Sequence, residues 1–266
     1  MRQHIFQEKT RILAKQNLSQ DFFSLKLSSL KIAANARPGQ FVEVRVQDTV
    51  VPLLRRPLGI HRVGRENFEL LFQIIGKGTQ ILSQKRVGEY LDVIGPLGHG
   101  FDFALSTEKG ARNILIAGGM GVAPLLFLAQ RMKGRSIIAL IGAKNKAQIL
   151  CENDFKKIGC EVMVATDDGS KGFRGKVTDL LKKILHATRY SVHGTVYSCG
   201  PRPMLKEISR ISQEYKISAQ ISLEEHMACG IGACLGCVVD TKDGFKRVCK
   251  EGPVFRADEI IWGTRL

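Results

Sequence analysis

The chain has 266 residues, 44% hydrophobic and 24% charged, with a net charge of +15. That length holds two domains and a small appendage, and no apolar run is long enough to cross a bilayer. The lysines and arginines are spread without a block, so a solvated surface is the plain reading and attraction to acidic protein faces or phosphorylated cofactors the functional one; no nucleic-acid-binding signature supports nucleic acid as the main partner.

Segment 1–16 (MRQHIFQEKTRILAKQ) is basic, lacks an apolar central region and contains Glu8. It reads as the start of a strand and not as a targeting peptide. Residues 5–98 then read as strands. FSLKLSS, GQFVEVRVQ and NFELLFQII are apolar-rich runs, punctuated by Pro38-Gly39, Gly64, Gly76, Gly88 and Gly95-Pro96-Leu97-Gly98. Closely spaced turns of this kind predict a small antiparallel barrel. Within it, Arg55-Arg56-Pro57-Leu58-Gly59-Ile60 follows a strand, and a planar guanidinium suits diphosphate oxygens. Leu71-Phe72-Gln73 lies on a strand. Gly76-Lys77-Gly78-Thr79 introduces a short predicted helix, QILSQ, whose first N–H groups and the Thr79 hydroxyl would hold a second part of the same diphosphate. A surface arginine pair and an ordinary helix cap are the plain alternatives.

Near residue 110 the texture changes. NILIAGG, SIIALIGA, EVMVATDD and TVYSCG are short strands. Helices are predicted between and after them at VAPLLFLAQRM, around 147–158, at VTDLLKKILH and at RPMLKEISRIS. Alternation of this kind predicts a parallel α/β domain. Ala117-Gly118-Gly119-Met120-Gly121-Val122-Ala123-Pro124 closes the first strand and opens the first helix, where a backbone free of side chains can approach a pyrophosphate. Ser198-Cys199-Gly200-Pro201 ends a later strand on the same expected edge. Thr166-Asp167-Asp168-Gly169-Ser170 also lies there, so an acid would bond ribose hydroxyls and favour NAD, while Lys171 and Arg174 are close enough to accept a 2′-phosphate. Tight turns without a ligand are the competing reading of these glycines.

The last segment carries Cys229, Cys234, Cys237 and Cys249 as C-x4-C-x2-C-x11-C. This is the plant-type [2Fe–2S] spacing, and Gly230, Gly232 and Gly236 let backbone amides turn toward the sulfurs. A zinc site is the alternative, although zinc usually takes paired C-x2-C elements and only one is present. Disulfides would need an oxidising compartment. With no export signal, the cysteines point to the cytoplasm. Cys151 and Cys160 fit as small buried hydrophobes.

The order RRPLG, GKGT, GGMGVAP, SCGP and the four cysteines resembles the ferredoxin–NADP reductase superfamily over nearly the whole chain. The terminal cysteines narrow the resemblance to electron-transfer subunits of NAD-dependent (type B) dihydroorotate dehydrogenases. The expected fold is α+β multidomain: an antiparallel flavin-binding β-barrel (1–104), an α/β parallel-sheet nicotinamide domain (105–222) and a small [2Fe–2S] segment (223–266). The resemblance implies FAD on Arg56, Pro57, Leu58, Gly59, Leu71, Phe72, Gln73, Gly78 and Thr79. It implies NAD at Gly118, Gly119, Gly121, Cys199 and Gly200, and cluster ligands at Cys229, Cys234, Cys237 and Cys249. Gly59 departs from the family motif, which ends there in Ser or Thr. Nicotinamide exchanges electron pairs and a cluster single electrons, so a flavin belongs between them. The implied partner is an FMN-containing catalytic subunit that oxidises dihydroorotate to orotate, in a heterotetramer of two of each chain, with no catalytic acid–base pair on this chain. A flavin/iron–sulfur subunit of a sulfhydrogenase or of an NADH–ferredoxin oxidoreductase would use the same parts.

Overall fold

The computed structural model describes residues 4–104, 111–187 and 194–263. Residue 105, where the second domain is expected to begin, lies outside them.

Six strands close an antiparallel barrel: β1 (Phe6–Ser19), β2 (Phe22–Ser28), β3 (Phe41–Arg45), β4 (Arg56–Val63), β5 (Asn67–Gln73) and β6 (Tyr90–Leu97), in the order β1-β2-β5-β4-β3-β6. Alternation sets the inward face. Leu25 and Leu27, Val42 and Val44, Phe68, Leu70 and Phe72, and Leu91 and Val93 fill one core. Two short helices interrupt the strands. In α1 (Leu30–Asn35) the Ser29 side chain caps the first turn by accepting from the Ile32 amide at 3.0 Å. In α2 (Lys77–Gln84) the helix begins three residues earlier than the run QILSQ suggests.

The second half is a seven-stranded sheet. Six of its strands, β7 (Arg112–Gly118), β8 (Ser136–Ala143), β9 (Glu161–Thr166), β10 (Phe173–Arg174), β11 (Val196–Cys199) and β12 (Ala219–Ser222), are parallel in the order β10-β9-β8-β7-β11-β12. The helices α3 (Val122–Arg131), α4 (Glu152–Lys157), α5 (Val177–Ala187) and α6 (Arg202–Glu214) alternate with them. The sheet is buried on both faces. Leu115 and Ala117 of β7 pack with α3, while Ile114 and Ile116 pack with α5 and α6. The predicted helix around 147–158 shrinks to α4, because Cys151 takes a left-handed conformation (φ 60) that cuts the run.

The C-terminal segment holds a hairpin, β13 (Val238–Thr241) and β14 (Gly244–Arg247), between the third and fourth cysteines. A last strand, β15 (Val254–Arg256), pairs antiparallel with β12 and closes that sheet edge. This segment is therefore sewn onto the sheet.

Helix α3 is buried from Val122 to Ala129, all the way round. One side covers the sheet and the other the barrel, and Phe127 enters the barrel core. At its first turn the Ala123 carbonyl lies 3.1 Å from Nδ1 of buried His61 on β4, and Nε2 of that ring accepts from Arg62 Nε at 3.2 Å. The ring is thus neutral with its proton on Nδ1. Burial lowers its pKa to about 4. The unfolded imidazole takes a proton near pH 6.5 and the folded one resists, so this contribution is whole above pH 6.5 and drains away as pH falls toward 4. Its size is on the order of 3 kcal/mol. Thermal melts of the parent and His61→Gln will show the parent losing Tm more steeply across that window.

Candidate functional site

In an open parallel sheet, ligands bind beyond the carboxyl ends of the strands, where the strand order reverses. Here the chain runs outward from β7 to β10 and then returns to β11 beside β7. The switch point therefore lies between Gly118–Gly121 and Cys199–Gly200. A cleft of about 1570 Å³ opens there and continues across to the barrel. It is lined by Arg56, Pro57, Leu58, Gly59, Leu71, Phe72, Gln73, Gly78 and Thr79 from the barrel, and by Gly118, Gly119, Gly121, Cys199 and Gly200 from the sheet. Motifs far apart in sequence thus share one space.

On the barrel side the two arginines have different tasks. Arg55 forks onto Asp92, with N–O distances of 2.8 and 3.1 Å, and is a structural tie. Arg56 lies across the backbone of Gly78, where a Cβ would stand 2.1 Å from its Nε. The guanidinium and the first N–H groups of α2 therefore converge on one spot suited to an anion. The Thr79 hydroxyl is engaged elsewhere. It accepts from the amides of Ile75 and Gly76 at 3.0 and 3.3 Å and donates to the Gly76 carbonyl. Gly59 has room beside it, since a Cβ would meet only Pro124 Cδ at 3.9 Å.

On the sheet side the two turns touch through their backbones. A Cβ on Gly121 would stand 1.9 Å from the Cys199 carbonyl oxygen. The Cys199 thiol is held protonated by burial, reinforced by Glu224, whose own carboxyl burial also pushes up. The sequence alone does not single out Glu224, Glu225, His226, Met227, Lys144 and Lys176, which also line the cleft. Of the acidic pair, Asp167 lines the cleft, while Asp168 accepts from the Ser170 amide and hydroxyl at 2.9 and 2.6 Å. Lys171 is paired with Glu152, and Arg174 does not line the cleft.

Two residues beyond Met227 stands the first cysteine. The thiols approach as two pairs, Cys229 with Cys234 and Cys237 with Cys249. Among the described residues no three His, Cys, Asp or Glu side chains gather as a single-ion site. Two thiol pairs are the donor set that a two-iron cluster takes, one pair for each iron. The Ala233 amide donates to Cys229 Sγ at 3.3 Å, and the Cys249 amide to Cys237 Sγ at 3.4 Å. Burial alone would raise the Cys229 thiol, but donors from Cys234, Ile231 and Ala233 pull it down to about 6. Burial, with Cys237 beside it, pushes Cys249 up to about 12. Cys234 is exposed, while Cys237 and Cys249 are buried. The set fits a cluster whose sulfurs accept backbone hydrogen bonds and which lies near the surface on one side.

A barrel with a cationic anion cradle, a nicotinamide-type switch point sharing its cleft, and a terminal thiol loop define a flavin- and nicotinamide-linked reductase. Residues 115–210 match the oxidoreductase NAD-binding domain, and residues 224–261 match the iron–sulfur cluster binding domain of dihydroorotate dehydrogenase B. The dihydroorotate dehydrogenase B (NAD(+)) electron transfer subunit of Desulforamulus reducens is 41% identical, covering 95% of this chain and 97% of its own. That of Geobacillus thermodenitrificans is 37% identical, covering 97% and 99%. A chain of the NADH-dependent reduced ferredoxin-NADP oxidoreductase superposes with a TM-score of 0.84 at 30% identity, covering 95% of this chain and 90% of that one. The chain belongs to the family of dihydroorotate dehydrogenase B electron transfer subunits. It is an oxidoreductase subunit whose cofactors are FAD, a [2Fe–2S] cluster and NAD.

Two substitutions test the barrel side. Gly78→Ala will push Arg56 aside without breaking the fold and weaken FAD binding about tenfold, about 1.4 kcal/mol, as read by flavin fluorescence. Gly59→Ser will leave Tm unchanged, because its site has space, and will shift the FAD midpoint in a redox titration.

Proposed function

We propose that this chain carries electrons between a partner catalytic subunit and NAD⁺ during the oxidation of dihydroorotate to orotate, a step of pyrimidine biosynthesis. One observation carries this reading. A single cleft is lined by both the Arg56–Gly78 anion cradle and the Gly118–Gly121 turn, and also by Met227, which stands two residues before Cys229 in the chain. Bound here, FAD and the cluster supply the conversion between paired electrons and single ones.

The chain's own residues bind and orient. Arg56 and the start of α2 hold the flavin diphosphate, with Pro57, Leu58, Gly59, Leu71, Phe72 and Gln73 along the remaining barrel wall. Gly118, Gly119, Gly121, Cys199 and Gly200 seat the nicotinamide half of the dinucleotide. The buried Cys199 thiol stays protonated and acts as a small apolar wall. Cys229, Cys234, Cys237 and Cys249 ligate the cluster, and the amides of Ala233 and Cys249 hold thiolate charge. The partner contains FMN, and two copies of each chain assemble. Exposed Ile231 and Leu235 flank exposed Cys234, so the thiol loop faces that partner. A thiol set of this kind belongs in a reducing compartment, the cytoplasm.

Cys234→Ser tests the assignment. NADH will still bleach FAD in the variant, while electron passage between the two chains falls to background in anaerobic stopped-flow traces. Passage at the parent's rate would refute the role of the loop.

A further inference from the structure

Strand β3 alternates Phe41, Glu43 and Arg45 on its outer side with Val42 and Val44 in the barrel core. An outward charge on a barrel strand is normally wet, as Arg45 is. Glu43 is only 1% exposed. The thiol loop covers it: Gly230, next to Cys229, lies so close that a Cβ there would stand 2.4 Å from Glu43 Cγ and 2.6 Å from Oε1. Gly230 accordingly adopts φ +67, where glycine carries no steric penalty.

Neither carboxyl oxygen of Glu43 has a hydrogen-bond partner. The residue opposite on β4 is Pro57, which has no N–H to give, and opposite on β6 is Ile94. Arg55 and Arg56 act on Glu43 through their fields, but Arg55 is forked onto Asp92 and Arg56 lies across Gly78. A buried, unpaired acid costs stability. This one sits between Pro57 on the flavin side and the loop that begins at Cys229.

We propose that Glu43 is a positioning residue for electron flow: a fixed negative charge under the thiol loop that lowers the reduction potential of the cluster and so favours delivery of its electron toward the flavin. Reduction adds one negative charge to the cluster, and a carboxylate held nearby out of water opposes it. The inference rests on the cluster reading above. Iron and acid-labile sulfide analysis of the parent tests that reading separately.

The experiment is an anaerobic redox titration of the full chain with FAD and cluster, followed by electron paramagnetic resonance near pH 8.5. Burial and the neighbouring Cys229 raise the Glu43 carboxyl to about 7 while Arg55 and Arg56 hold it down, so the titration is run on the alkaline side. Glu43→Gln will shift the cluster midpoint upward and Glu43→Asp will keep it near the parent's, with FAD moving less than the cluster. Glu43→Met is the second neutral form. Replacing an unpaired buried carboxyl with an apolar side chain of similar size stabilises, so this variant will show a raised Tm along with the same upward shift. Cluster midpoints in the Gln and Met variants equal to the parent's, with iron content intact, would overturn the proposal. So would an Asp variant that moves as far as the Gln variant.

Discussion

The molecule depends on one helix being apolar all the way round. Helix α3 follows the glycine turn at the end of β7, and its two sides belong to two domains. Packing of this kind has no slack, because side chains in a protein interior are as dense as an organic crystal. The barrel's anion cradle and the sheet's switch point are consequently held at a set separation. The His61–Ala123 contact then fixes rotation as well as distance.

From that fixed frame the chemistry follows by adjacency. The Arg56–Gly78 cradle opens into the same space as the Gly118 and Cys199 turns, and Met227 on the wall leads directly to Cys229. Hydride exchange needs two rings in contact, and single-electron passage tolerates a gap but falls steeply with distance. A shared cleft, with Met227 on its wall two residues before Cys229, suits both demands. The remaining groups adjust charge: Cys199 stays a neutral wall, Cys229 is drawn toward the thiolate, and Arg55 is neutralised by Asp92.

Much of this was legible from local signals. Parallel strands buried on both faces read as unbroken apolar runs ending in glycine, and cysteine spacing is a property of one short segment. What stayed hidden depends on partners distant in sequence. The run Arg55-Arg56 does not say which arginine Asp92 will claim. The hydroxyl of Thr79 looks available until the turn folds back on it. Lys171 looks free until Glu152 arrives from α4. Glu43 sits in an ordinary alternating strand, and only the three-dimensional arrangement puts the loop at Gly230 over it. The shortening of α4 at Cys151 is a backbone event that periodicity does not encode.

Cys237 and Cys249 belong to the same apolar cluster as Phe41, Leu97, Val248 and Phe255 of β15, so the buried half of the thiol set and the packing that fastens the tail share atoms. Whatever those two sulfurs hold is thereby anchored to the sheet edge and the barrel together, and a change at either side chain is felt at the carboxyl end of the chain.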